Sequence, residues 1–168
     1  QCGPEFLFRE ESDSKPVVDD YALAARLSYF LWSSRTDEEL LSLAVRGDMR
    51  KPSVLKAQVD RLLADTKSPR FVENFTGQWQ RIRDIDFTVP DRRLYPEYNE
   101  LLRRSMIDET RACFREILDN DLSLQNFMDS DFVTINQPLA EFYGIEDVTG
   151  LEIRRVTRPR NSVRGGVL

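Results

Sequence analysis

Two charged side chains fall on helix faces that the sequence predicts to be buried. Arg26 is the one charged residue in the apolar run 21–32, and Glu109 interrupts the apolar stripe of a long predicted helix. An isolated charge in a protein core is costly, so each of these side chains needs a partner. We therefore predict that Arg26 pairs with Glu109, and that the amides of Asn74 and Gln78 complete a buried polar network.

A buried carboxylate such as Glu109 has two interpretations. The first is structural: a charge pair holds two helices in register and takes no part in chemistry. The second is catalytic: burial raises the pKa of a carboxyl group, and a second acid across a cleft completes a glycosidase-type site. Asp129, Asp131 and Glu141 are candidate second acids, but the sequence does not place any of them opposite Glu109. The pattern favours the structural interpretation and leaves the catalytic one open.

The absence of histidine excludes several kinds of site. Without histidine, the 168 residues cannot form a Ser-His-Asp or Cys-His nucleophile system, His-ligated zinc, or a haem held by a histidine of this segment. The two cysteines, Cys2 and Cys113, form no CxxC or CxxCH motif. The run 129–131 lacks the glycine and glutamate of a calcium loop, so helix capping explains it better. We predict no metal site and no cofactor in this segment.

Two groups of residues are candidates for a ligand surface or an interdomain surface. The aromatic group is Trp79 and Phe87, which could stack on a sugar or a partner, although aromatic residues at helical spacing more often belong to a core. The basic group lies near the C-terminus and could bind an anionic ligand or an acidic neighbouring domain, or could simply keep a strand edge solvated. Its members are Arg154, Arg155 and Arg158, followed by Arg160 and Arg164.

Composition limits the partners. The net charge of −5 argues against nucleic acid, because no large basic face is available to displace counterions. No apolar run approaches the roughly 20 residues of a membrane span.

Apolar periodicity and capping residues predict a mainly α-helical fold. We expect an orthogonal multi-helix bundle with a minor two-stranded β element formed from the chain ends, residues 6–8 and 151–156. The run 21–32 is apolar almost all round, which predicts a helix in the centre of the bundle. The predicted helices cover residues 21–32, 36–47, 52–65, 68–82, 96–118, 124–128 and 138–143.

Both ends of the chain are unusual for a complete protein. The chain starts at Gln1 without an initiator methionine or a signal peptide, and it ends in an apolar run, 165–168. We therefore expect a single helical domain, residues 1–168, excised from a longer multidomain protein.

Distinctive runs of residues are spread over almost the whole chain. They are PEFLFR from Pro4, YALAARLSYFLWSS from Tyr21, DEELLSLA from Asp37, NFTGQW at 74–79, ET at 109–110, NQPLAEFYGI at 136–145, RRVTRP at 154–159 and RGGVL at 164–168. In this order they resemble a domain of unknown function from large planctomycete proteins that also carry c-type cytochrome domains. Arg26, Asn74, Gln78, Trp79, Glu109 and Asn136 match motif positions of that domain.

The resemblance implies a context rather than an activity. Its members look like secreted or periplasmic proteins with c-type haem in other segments, so we expect haem-bearing neighbouring domains as partners and a periplasmic or extracellular location. The resemblance leads us to expect histidine at position 142, where this chain has Phe142 instead. We predict a non-catalytic helical structural or interaction module. The alternative is a carbohydrate-binding or carbohydrate-processing domain that uses Glu109 and Asp131, with Trp79 or Phe87 as the sugar platform and a polysaccharide as partner.

Overall fold

A computed structural model describes residues 18–87, 89–91, 93–159 and 166–167. The chain divides between Phe71 and Val72 into two compact units. Six α-helices and one small antiparallel sheet account for the regular structure of the described residues, which confirms the predicted mainly α fold. None of the described helices combines the length and the apolar character that a membrane span requires. The single domain over residues 1–168 stays a prediction.

The first unit contains three helices and the start of a fourth. They are α1 (Asp20–Trp32), α2 (Glu38–Arg46), α3 (Pro52–Ala64) and α4 (Pro69–Trp79), which continues into the second unit. These bounds agree with the predicted helices to within a few residues, because the start and stop signals of the sequence lie close to each end. Gly47 shows the physical reason at one such end: it follows α2 with a φ of 70°, a conformation that glycine adopts without strain.

Asp37 has two roles at the start of α2. Its side chain accepts a hydrogen bond from the Leu40 amide at 3.0 Å and pairs with Arg61 of α3 at 2.7 Å. Partial burial by itself raises the pKa of Asp37, but the hydrogen bonds from Arg61 and Leu40 and the Arg61 charge outweigh that effect and lower it. The fold therefore favours the charged form of Asp37.

Two side chains, one at each end of α1, anchor this helix inside the first unit through hydrogen bonds. The buried carboxylate of Asp20 accepts hydrogen bonds from the Met49 amide at 2.9 Å and from Arg50 Nε at 2.7 Å. At the other end, the indole Nε1 of Trp32 donates to the Leu62 carbonyl oxygen at 2.8 Å. These contacts satisfy polar groups that would otherwise be unpaired in the interior.

The position of α1 differs from the prediction of a helix buried on all sides. Tyr21, Tyr29 and Phe30 are all at least half exposed. Their aromatic rings made the run look fully apolar, but helical geometry turns these residues away from the buried Ala24 and Leu31. The helix therefore has one buried face and one exposed face, although nearly all of its residues are apolar.

The second unit combines two helices with the sheet. It contains the end of α4, a 3-10 turn (Ile82–Phe87), α5 (Glu100–Asp119), a second 3-10 turn (Leu124–Phe127), β1 (Phe132–Ile135), α6 (Gln137–Tyr143) and β2 (Arg154–Thr157). The sequence predicts that α5 starts near residue 96. In the structure Asn99 caps this helix, because its side chain accepts a hydrogen bond from the Leu102 amide at 2.9 Å.

The two strands pair antiparallel, with Phe132 opposite Thr157 and Ile135 opposite Arg154. The predicted two-stranded element is thus confirmed, but its composition requires a correction. β2 overlaps the predicted C-terminal strand, whereas its partner is β1 rather than residues 6–8, which lie outside the described residues. All four residues of β1 are buried, so the run lacks the alternation of polar and apolar residues that marks a surface strand.

A hydrophobic cluster joins α5, α6 and the sheet. It consists of Leu102, Val133, Ile135, Leu139, Ala140 and Val148, and the partly buried Met106 and Tyr143 pack against it. The helix α6 is short, but Asn136 caps its start and Gly144 ends it with a φ of 68°. This packing determines where the polar residues of α5 meet those of α6.

Candidate functional site

Glu109 lies on the face of α5 that packs against β1 and α6. The residue is 5% exposed, and the Tyr143 hydroxyl donates a hydrogen bond to Glu109 Oε2 at 2.6 Å. The Thr134 hydroxyl donates to the backbone carbonyl oxygen of Glu109 at 2.9 Å. The predicted burial of Glu109 is therefore correct, and Tyr143 supplies a hydrogen bond that the sequence did not predict.

A pocket of about 360 Å³ opens beside this carboxylate within the second unit. Ten residues line it: Gln80, Arg81, Ile82, Ile85, Met106, Ile107, Glu109, Thr110, Phe142 and Tyr143. They come from the two residues that follow α4, from the 3-10 turn after them, and from α5 and α6. Glu109 is the one carboxylate among these described lining residues, so the pocket does not contain the pair of acids that glycosidase chemistry needs.

Gln80 is the unexpected member of the pocket. Its side-chain nitrogen and oxygen are both buried, and within the described residues neither has a hydrogen-bond partner. Its backbone amide still bonds to the Thr76 carbonyl oxygen at 3.0 Å, which makes Gln80 a continuation of the last turn of α4. No pattern in the sequence marks this residue, because a glutamine at the end of a helix is usually solvated.

The chain turns sharply after Gln80. Arg81 has a φ of 52°, in the left-handed region that residues other than glycine rarely adopt. Its guanidinium bonds to Asp84 at 2.7 Å, which closes the turn over three residues. Strained backbone of this kind often occurs at functional sites, and here the consecutive residues 80, 81 and 82 all line the pocket.

The predicted polar network is only partly present. Asn74 is half-buried, and its side-chain oxygen accepts a hydrogen bond from Arg83 at 3.1 Å. Gln78 is exposed, which corrects its predicted place in the network: the buried polar position on this turn of α4 is Thr76, two residues earlier. Arg26 is half-buried on α1 in the first unit, and its pairing with Glu109 stays a prediction.

Three of the basic residues near the C-terminus, Arg154, Arg155 and Arg158, lie on or next to β2, whereas Arg160 and Arg164 lie outside the described residues. Arg155 pairs with Glu116 at 2.7 Å, and Arg158 pairs with Asp129 at 2.9 Å. Asp131 is 87% exposed, lies 4.0 Å from Arg155 and does not line the pocket. Arg154 is exposed on the same strand. Because acidic residues of the same unit neutralise two of these arginines, the strand is not a strongly positive surface.

The two candidate aromatic residues differ in their surroundings. Trp79 is 45% exposed and packs edge-on against Phe127, with ring centroids 5.2 Å apart. Phe87 is 86% exposed. Neither lines the pocket; its aromatic wall is instead Phe142, at the position where the resemblance leads us to expect histidine.

Cys113 lies one helical turn after Glu109, and among the described residues it is a buried free cysteine. Burial, followed by the nearby charges of Glu109 and Glu116, raises the pKa of the Cys113 thiol to about 11. A thiol with so high a pKa is a poor nucleophile at neutral pH. In the part of the chain that the structure describes, no three His, Cys, Asp or Glu side chains come close enough to hold a metal ion.

Comparison with known proteins places the chain in a family. The model of the PSD4 family, described as a protein of unknown function (DUF1592), matches residues 18–145. This range includes every residue that lines the pocket. No curated protein and no solved structure matches the chain. Because the match covers well over half of its length, the chain belongs to the PSD4 family of proteins of unknown function (DUF1592).

Proposed function

We propose that this chain is a non-catalytic helical interaction module of a secreted or periplasmic planctomycete protein, and that it docks against haem-bearing domains of the same protein. The observation that carries the docking is the apolar segment between α4 and α5. Phe87, Val89 and Leu94 are 86%, 84% and 72% exposed, and Tyr95 is half exposed. We call these four residues the apolar segment.

Large apolar side chains are costly to leave in water, and these four lie exposed within nine residues of the chain. Burying one such side chain contributes about 1.5–3 kcal/mol of favourable free energy. A partner that covers the apolar segment would therefore gain several kcal/mol of binding free energy. Most of that gain offsets the loss of freedom on association when two proteins meet. A domain linked in the same chain loses less freedom, which favours a neighbouring domain as the partner.

The proposed partner carries the haem, and this chain would carry none. The resemblance to planctomycete proteins with c-type cytochrome domains supports this choice of partner. The location outside the cytoplasm rests on the same resemblance.

The catalytic alternative has less support. Carbohydrate processing by Glu109 and Asp131 needs both carboxylates across one cleft. Glu109 is buried beside Tyr143, whereas Asp131 is exposed beside Arg155 and lies outside the lining of the pocket. This geometry favours a module without hydrolytic activity.

Photo-crosslinking within the parent protein tests the proposal. The photoreactive residue p-benzoylphenylalanine replaces Phe87 or, in a second variant, Leu94, and mass spectrometry locates the crosslinked peptides. The control carries it at Lys56, which is exposed on α3. We expect crosslinks from Phe87 and Leu94, but not from Lys56, to peptides of a haem-bearing domain. Equal yields at all three positions would contradict docking, and crosslinks to a domain without haem would exclude the proposed partner.

A further inference from the structure

We propose that Arg83 is the ionic contact of the docking surface and binds an aspartate or glutamate side chain of the neighbouring domain. This inference rests on the docking proposal and adds the chemistry of the partner, which would present an apolar surface with a carboxylate at its border. Three observations carry it: Arg83 has a charge without an ion pair, its side chain is held against α4, and it lies close to the apolar segment.

The charge of Arg83 is not neutralised within the described part of the chain. The side chain is exposed, and among the described residues it forms one hydrogen bond, from Nη2 to the side-chain oxygen of Asn74 at 3.1 Å. This oxygen belongs to an uncharged amide. A guanidinium has five N–H donors, so Arg83 can bind a carboxylate and keep its bond to Asn74.

Gly77 of α4 explains why Arg83 lies where it does. A Cβ atom at position 77 would be 3.1 Å from Arg83 Nε and 3.6 Å from its Cγ, so the arginine side chain lies along the helix where a side chain is missing. Glycine within a helix is unfavourable compared with alanine, and the close approach of Arg83 accounts for it here. A side chain that is already held loses less freedom when it binds a partner.

The apolar segment begins in the same 3-10 turn that contains Arg83. This turn covers Ile82–Phe87, and a rise of about 2 Å per residue puts Arg83 and Phe87 about 8 Å apart along its axis. A stable interface covers about 800 Å² on each partner, which corresponds to a patch roughly 30 Å across. A domain that docks on Phe87 is thus large enough to cover Arg83 as well.

The other charges described along this stretch are already paired. Arg81 bonds to Asp84 at 2.7 Å, and Arg93 bonds to Asp91 at 3.2 Å. Among the side chains that the structure describes between residues 81 and 95, Arg83 is therefore the one charge that lacks an opposite charge. The border of the apolar segment is positive at this point.

A positive border selects an acidic partner. A neutral or basic surface placed over Arg83 would remove water from the guanidinium without supplying an opposite charge, which is costly. A carboxylate fits the planar guanidinium through two parallel hydrogen bonds. Charged contacts at an interface favour one partner and one orientation more than they raise the affinity. The docking domain would therefore carry an aspartate or glutamate next to the apolar residues that cover Phe87 and Leu94.

Carbodiimide crosslinking in the parent protein tests this contact. The reagent joins a lysine amine to a carboxylate in direct contact, so Arg83→Lys places a reactive amine at the proposed ion pair. Mass spectrometry then identifies the peptides joined at position 83. The control is Arg154→Lys, at another exposed arginine of the second unit. We expect an amide bond from position 83, but not from position 154, to an aspartate or glutamate of the neighbouring domain.

Charge reversal shows whether the contact contributes to docking, which is measured as the yield of photo-crosslinks from p-benzoylphenylalanine at Phe87. We expect Arg83→Glu to lower this yield about fivefold, because a repulsive contact replaces an exposed ion pair, and Arg154→Glu to leave it unchanged. Replacing the identified carboxylate of the partner by arginine should restore the yield in the Arg83→Glu chain. Circular dichroism should show that all variants stay folded, since both arginines are exposed.

The outcomes separate the ionic contact from the docking itself. An amide bond from position 83 to the neighbouring domain, with loss and restoration of the yield, supports the ionic contact. If Phe87 crosslinks to that domain but Arg83→Lys forms no bond to it, or Arg83→Glu leaves the yield unchanged, docking stands and the ionic contact is wrong. If Phe87 gives no crosslinks in the original chain, both proposals fail. A bond from position 83 to a domain without haem would support the ionic contact and exclude the haem-bearing partner.

Discussion

Replacement of Tyr143 by phenylalanine tests how the buried carboxylate is held. The Tyr143→Phe change removes one oxygen atom, which donates to Glu109 Oε2 at 2.6 Å. Glu109 is only 5% exposed, so water cannot easily replace the lost donor. Hydrogen bonds to charged groups contribute about 1.5–3 kcal/mol, and we expect the free energy of unfolding to fall by about 2 kcal/mol.

Urea denaturation followed by circular dichroism measures this loss. The midpoint should fall while the denaturant dependence stays the same, because the variant exposes the same surface on unfolding. For a protein of this size the same loss lowers Tm by about 4–8 °C. Tyr95→Phe is the matched control: Tyr95 is half exposed in the same unit, so its change should stay within about 0.5 kcal/mol.

The reasoning fails if Tyr143→Phe is as stable as Tyr95→Phe. That result would mean that solvent reaches Glu109 or that other groups fully satisfy its carboxylate. A loss far above 3 kcal/mol would also contradict it, because a single hydroxyl cannot supply so much. In that case the ring of Tyr143 would have moved and opened the hydrophobic cluster.

Three further predictions concern other parts of the chain. In a Cys2→Ser background, Cys113 should react with a disulfide reagent at pH 8 only after urea unfolds the protein, because its pKa is about 11; rapid labelling of the native chain would contradict its burial. Asp37→Ala should lower the free energy of unfolding by about 1 kcal/mol at pH 7. This difference from the original chain should shrink as the pH falls below about 4, because a lowered carboxyl pKa stabilises the fold only while the group is charged. A difference that persists unchanged at pH 2 would exclude a charge effect. Acrylamide should quench Trp79 in Trp32→Phe much more than Trp32 in Trp79→Phe, because the two residues are 45% and 2% exposed, and equal quenching would place Trp32 at the surface.

The sequence predicted the helices well because their signals are local. A helix start needs a capping side chain and an apolar face within a few residues, as at Asn136 before α6. The strand β1 was missed for the opposite reason. The paired residues of β2 lie 19 to 25 positions further along the chain, and the four buried residues of β1 give no alternating pattern.

The candidate site was predictable only in part. The position of Glu109 within an apolar stripe indicated burial, and the structure confirms that. Its partner Tyr143 is 34 residues away on another helix, so spacing alone could not identify it. Gln80 was unpredictable because its burial depends on the turn that follows α4, where Arg81 adopts a positive φ that no local pattern encodes.

Two polar residues of α5, Ser105 and Glu109, lie in a largely apolar interface, and the hydrogen bonds that they form explain their presence there. Ser105 and Glu109 are one turn apart and face the same segment. The Ser105 hydroxyl accepts from Asn136 at 2.9 Å, and the backbone and side chain of Glu109 accept from Thr134 and Tyr143 at 2.9 and 2.6 Å. Three hydrogen bonds thus run along one face of the helix to consecutive parts of β1 and α6.

These three hydrogen bonds fix the position of α6 along α5 in a way that apolar packing alone does not. The hydrophobic effect has no directional preference, whereas a hydrogen bond weakens steeply when its distance or angle departs from the preferred geometry. The three hydrogen bonds therefore hold α6 at one register against α5. This register keeps Phe142 and Tyr143 beside Glu109 at the pocket. This agrees with the structural interpretation of the buried carboxylate, because the bonds that set the register also shape the wall of the pocket.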